Sequence, residues 1–107
     1  MDDIEKLSEV FKALSDPTRL RLVKLMSGRK RGQRVPDECG KGPLCVNALA
    51  KQLEITQSAV SQHLRILKQA GLVRGVRHGA FIHYDLENEG LERTKNMLRK
   101  TLGGDFL

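Results

Sequence analysis

The run Gln57-Ser58-Ala59-Val60-Ser61-Gln62-His63-Leu64-Arg65-Ile66-Leu67-Lys68-Gln69-Ala70, closed by Gly71, decides how the rest of the chain is read. At about 100° per residue, Val60, Leu64 and Leu67 fall within one narrow arc and form the inward stripe of a helix. Ser58, Ser61, Gln62, Arg65 and Gln69 fall on the other side. That outer face consists of hydroxyls, amides and a guanidinium, and the run contains no acid. A helix facing only solvent usually mixes Glu with Lys, for propensity and for i,i+4 pairing. Ser, Gln and Arg instead suit phosphates and base edges, which Asp and Glu would repel. The run is therefore expected to be a recognition helix rather than a merely solvated one.

Working outward, Thr56 is placed to cap this helix, and Gly71 suits the left-handed residue that ends it. Before it, a helix of about two turns is expected from Asn47 as cap through Ala48, Leu49, Ala50 and Leu53, with a turn at Glu54-Ile55. Residues 47–70 then make a helix-turn-helix. After it, residues 72–86 carry strand-favouring side chains on both sides of Arg77-His78-Gly79-Ala80, a hairpin with Gly79 in its turn. Its position makes it a wing, with Arg74 and Arg77 expected near the tip. Read without its neighbour, it would be an edge strand kept soluble by charge.

Toward the termini, Ile4, Leu7, Phe11 and Leu14 define a stripe on a helix over about 2–15, and Leu91, Leu98 and Leu102 another over about 89–102. Between them, Asp16-Pro17 ends the first helix and starts a second, whose inward residues are expected to be Leu20, Val23 and Met26. Residues 28–42, GRKRGQRVPDECGKG, read as a long basic loop. The fold class is thus mainly α with a small β-hairpin, a winged helix-turn-helix in the order α-α-α-α-β-β-α, as one domain over 1–107. The winged unit is nearly closed without the terminal stripes. Burying those leucines, at roughly 1.5 to 3 kcal/mol each, favours pairing two chains through Ile4, Leu7, Phe11, Leu91, Leu98 and Leu102.

The formal charge of +6 on 107 residues is unevenly distributed. Residues 17–36 carry seven bases and no acid, whereas residues 85–92 carry four acids and no base. Such segregation suggests a polyanion as partner. A small chain with no phosphate-binding glycine loop and no nucleophile motif is not expected to be an enzyme. With no apolar run of membrane-spanning length and an acidic Met1-Asp2-Asp3 start, it is expected to be cytoplasmic, with no membrane partner. Base stacking on aromatics is the usual RNA device, and Phe11, Phe81, Tyr84 and Phe106 offer no clustered platform.

Two separated motifs carry a family resemblance. Ala13-Leu14-Ser15-Asp16-Pro17-Thr18-Arg19-Leu20, then Ser61-Gln62-His63-Leu64-Arg65-Ile66-Leu67 running into Ala70-Gly71-Leu72-Val73, resemble the ArsR/SmtB family of winged-helix repressors. The resemblance implies a homodimer on a double-stranded operator palindrome, released by a metal ion, metalloid or redox signal. It places base contacts on Gln57, Ser58, Ser61 and Gln62, and backbone or minor-groove contacts on Arg65 and Arg77. His78, at the hairpin tip, is read as a phosphate contact, His63 as a packed core-edge residue and His83 as a strand residue.

The resemblance also implies where a signal would act. The family's interfacial zinc site uses His and carboxylates of the last helix, and residues 87–102 contain no histidine. Its thiol pattern, Cys-Val-Cys, is here Cys45-Val46-Asn47, with Cys39 six residues before Cys45. Three readings stay open. Cys39 and Cys45 bind a soft metal or metalloid ion, completed by a third ligand such as Asp37, Glu38 or a residue of a partner chain. They form a reversible disulfide. Or Cys45 is a small buried hydrophobe, Cys39 a surface thiol, and there is no cofactor. Two alternatives to a signal-released repressor also remain: a ligand-independent repressor, and a winged-helix interaction module for protein or RNA.

Overall fold

A computed structural model describes residues 1–27 and 45–103 of the chain, apart from the side chain of His78. Its elements are α1 (Asp3–Leu14), α2 (Pro17–Ser27), α3 (Val46–Leu53), α4 (Gln57–Gln69), β1 (Val73–His78), β2 (Phe81–Leu86) and α5 (Asn88–Leu102). This is the winged helix-turn-helix order expected from the sequence. No helix among the described residues is long and apolar enough to cross a membrane. The loop at 28–42, with Asp37, Glu38 and Cys39, lies outside the described residues.

Each boundary has a local cause. Asp2 caps α1 by accepting from the Glu5 N–H at 2.8 Å. Asp16 caps α2, its Oδ1 accepting from the Thr18 and Arg19 N–H groups at 2.7 and 3.2 Å, while Pro17 occupies a first-turn position whose N–H has no helical partner. Thr56 Oγ1 accepts from the Ala59 N–H at 3.0 Å and starts α4. At its far end the Leu72 N–H donates to the Leu67 carbonyl and the Gly71 N–H to the Lys68 carbonyl. That paired closure is a Schellman ending, and it needs the left-handed φ of +79° that Gly71 adopts. The end of α3 repeats it with a non-glycine, Glu54, at φ 56°.

The core gathers Val10 and Ala13 of α1, Leu22 and Met26 of α2, Leu49 and Ala50 of α3, and Val60, Leu64 and Leu67 of α4, closed by Leu72 and Val73. The inward stripe of α4 is the one its period predicts. Two neighbouring expectations shift. In α2 the deepest residue is Leu22, while Leu20 is 49% exposed, because Leu20, Leu22, Val23, Leu25 and Met26 leave little polar face to set the phase. In α3 the cap is Cys45 rather than Asn47, so the helix starts at Val46. An antiparallel bridge from Cys45 to His83 of β2 fixes that start from outside the helix.

The hairpin pairs Val73 with Leu86 at its base and His78 with Phe81 at its tip. Gly79, at φ +60°, is the first residue of the two-residue turn, where a left-handed backbone matches the strand twist. Arg77 faces Ile82 beside the tip, but Arg74 pairs with Asp85 near the base. The two arginines sit an odd number of residues apart and so project from opposite faces of the ribbon. At the base Gly90, in the first turn of α5, rests on the Gly71 backbone. A Cβ built on Gly90 would run into the Gly71 carbonyl oxygen.

Candidate nucleic-acid interface

Burying Val60, Leu64 and Leu67 turns the opposite face of α4 to solvent. Gln57, Ser58, Ser61, Gln62 and Arg65 are all exposed there, as are Lys68 and Gln69. The structure brings these five predicted contact residues onto one continuous surface. Arg77 is also exposed, at the end of the wing.

Among the described residues, two side-chain hydrogen bonds tie this helix to its neighbours. Gln57 Nε2 donates to Asn47 Oδ1 at 3.0 Å, linking the first residue of α4 to the first turn of α3. Farther along, Nδ1 of the half-buried His63 lies 3.3 Å from an Arg19 Nη, in keeping with a packed core-edge histidine. Arg19 also donates from Nε to the Ala13 carbonyl at 2.6 Å, so one side chain closes α1 and braces α4. Sequence reading misses both ties. Asn47 reads there as a helix cap, and the pairing of Arg19 with His63 spans 44 positions.

Asp16 sits beneath this brace. Partial desolvation works to raise its pKa, yet the Arg19 and Thr18 N–H groups, with the charges of Arg19 and His63, hold the carboxyl below its ordinary value.

The predicted pairing surface divides. Ile4, Phe11 and Leu102 are 60%, 50% and 59% exposed, while Leu7 is buried and Leu91 packs partly against the chain's own core. Leu98 is half-buried. Ile4, Leu7, Phe11 and Thr101 line an open groove of about 480 Å³ along α1.

Cys45 is 2% exposed, stands at the N-cap of α3 and is disulfide-bonded. Among the described residues no group of three or more His, Cys, Asp or Glu side chains could hold a metal ion.

A helix-turn-helix with an acid-free outer face, followed by a wing, defines the winged-helix class of DNA-binding regulators. The chain belongs to the ArsR family: residues 39–74 match the model for bacterial regulatory proteins of that family. Over 80% of its length the chain is also 34% identical to the arsenical resistance operon repressor of Bacillus subtilis, 70% of which is covered. The chain is 32% identical over 99 residues to an uncharacterised HTH-type transcriptional regulator of Methanocaldococcus jannaschii, covering 92% of this chain and 94% of that one. It is 33% identical to the transcriptional repressor SdpR of Bacillus subtilis, covering 86% and 88%. Its fold matches, with a TM-score of 0.66 at 22% identity over 97% of this chain and 84% of the other, the homodimeric winged helix-turn-helix DNA-binding domain of a Mycobacterium bovis protein. The family is one of transcriptional regulators, not enzymes.

Proposed function

We propose that the chain is a cytoplasmic homodimeric repressor that reads a palindromic operator with α4 and is released when Cys39 and Cys45 are oxidised. The observation that carries this reading is the outer face of α4, exposed and acid-free, together with an exposed arginine near the tip of the wing. Gln57, Ser58, Ser61 and Gln62 reach base edges. Arg65, Arg77 and His78 contact the backbone, whose phosphates give affinity but no sequence information. The exposed Ile4, Phe11 and Leu102 face a second copy, in line with the dimeric M. bovis neighbour. A twofold axis would set the two reading helices about 34 to 36 Å apart, one turn of duplex.

For the signal, the disulfide-bonded state of Cys45 favours a thiol switch over a soft ion. Closing a bond between Cys39 and Cys45 removes two protons and two electrons. A hydroperoxide accepts them and becomes an alcohol and water. Because Cys45 starts α3 and bridges to β2, changes at its sulfur act between the wing and the helix-turn-helix.

Selection from random duplexes by the reduced protein should return a palindrome. Replacing Ser61 and Gln62 together by Ala should weaken binding to it by about tenfold or more, since each good base contact contributes roughly 1 to 3 kcal/mol. Oxidation by a hydroperoxide should release the wild type, and reductant should restore it. Absence of a palindromic consensus overturns the DNA-reading function. Binding indifferent to thiol state overturns the switch.

A further inference from the structure

The bond between Gln57 and Asn47 does more than join two helices. Gln57 is exposed at the leading end of α4, where an unheld side-chain amide can turn over about its last torsion and exchange its oxygen for its nitrogen. Asn47, half-buried on α3, accepts one of the two Nε2 hydrogens at 3.0 Å. With Oδ1 of Asn47 turned toward it, Gln57 presents an outward pair, Oε1 as acceptor and the second Nε2 hydrogen as donor. Adenine presents the complement in the major groove, an N6 donor beside the N7 acceptor, whereas guanine presents two acceptors. Turned over, the amide would set its oxygen against N7.

We propose that Asn47 is a specificity-determining positioning residue, holding the Gln57 amide in the orientation that selects adenine at one position of each half-site. The assignment rests on the DNA-reading function proposed above. It gives Asn47 a role in base choice.

The experiment uses the full chain, reduced, on the consensus selected by the wild type and on its single-base variants. The position most sensitive to Gln57→Ala should be an adenine. There Asn47→Ala should lower the preference for adenine by about twofold to tenfold, the worth of one net hydrogen bond, with non-specific affinity and salt dependence unchanged. Asn47→Asp keeps an acceptor oxygen and should retain the preference, even as its charge weakens binding to every duplex. In a Gln57→Ala background, Asn47→Ala should change the preference no further. The assignment is overturned if Asn47→Ala leaves base preference intact, weakens all duplexes equally, or adds fully to Gln57→Ala. A wild type that selects no consensus overturns the DNA-reading function, and the assignment with it.

Discussion

Helices α1 and α4 are built alike on the inside and oppositely on the outside. Each buries three residues about one turn apart, Leu7, Val10 and Ala13 in α1 and Val60, Leu64 and Leu67 in α4. On the exposed side α4 offers hydroxyls, amides and cations, whereas α1 leaves Ile4 and Phe11 in solvent. Inner faces of this kind report only that a helix packs. The chemistry of the outer face separates a surface suited to a polyanion from one suited to another apolar surface.

The strongest way to break this comparison is from within. Leu67 is fully buried, so Leu67→Ala should cost about 2 to 5 kcal/mol through lost contacts and the cavity left behind. Thermal and denaturant melting would register it, and binding would fall because the helix is no longer held. A melting curve that barely moved would mean that the inner stripe of α4 is misplaced.

Changing only the outside of α1 sharpens the contrast. Ile4→Asp with Phe11→Asp removes two exposed apolar side chains, each worth roughly 1.5 to 3 kcal/mol when covered. The dimer dissociation constant should rise by at least about tenfold in sedimentation measurements, with little change in helix content. A variant as dimeric as the wild type would move the pairing surface elsewhere.

The smallest effect concerns the brace shared by the two helices. The carboxyl of Asp16 is held below its ordinary pKa in the folded chain. Its ionised form therefore stabilises the fold at neutral pH, and that contribution is lost as pH falls through the folded value. Asn keeps an oxygen that can cap α2 but carries no charge. Asp16→Asn should thus melt slightly below the wild type at pH 7, with the gap closing in acid. A gap that widened on acidification would contradict the assignment.

The α4 faces, the wing and the order of elements were legible because each follows from local period or turn chemistry. In α2 the pattern failed: apolar residues lie nearly all round it, so period alone could not rank Leu22 above Leu20. α1 concealed a second apolar face, since the conspicuous Ile4, Leu7 and Phe11 stripe masks Val10 and Ala13, which hold the helix to the core. Asn47 has the chemistry of a cap, and only the bridge between Cys45 and β2 shows why the helix starts earlier. Of the site, the residue types and their face could be read. The ties that aim them, Asn47 to Gln57 and Arg19 to His63, depend on tertiary neighbours that no window of sequence contains.

The contact of Gly90 on the Gly71 carbonyl has a mechanical meaning. Where α5 begins and α4 has just ended, main chain meets main chain, with no compressible side chain between them. In the proposed dimer the pairing helix and the reading helix therefore act as a rigid ruler. Lengthening the spacer of an operator by one base pair displaces a half-site by about 3.4 Å along the duplex. Main chain against main chain leaves little at this contact to absorb that step, so such a dimer would read a palindromic operator at one fixed spacing.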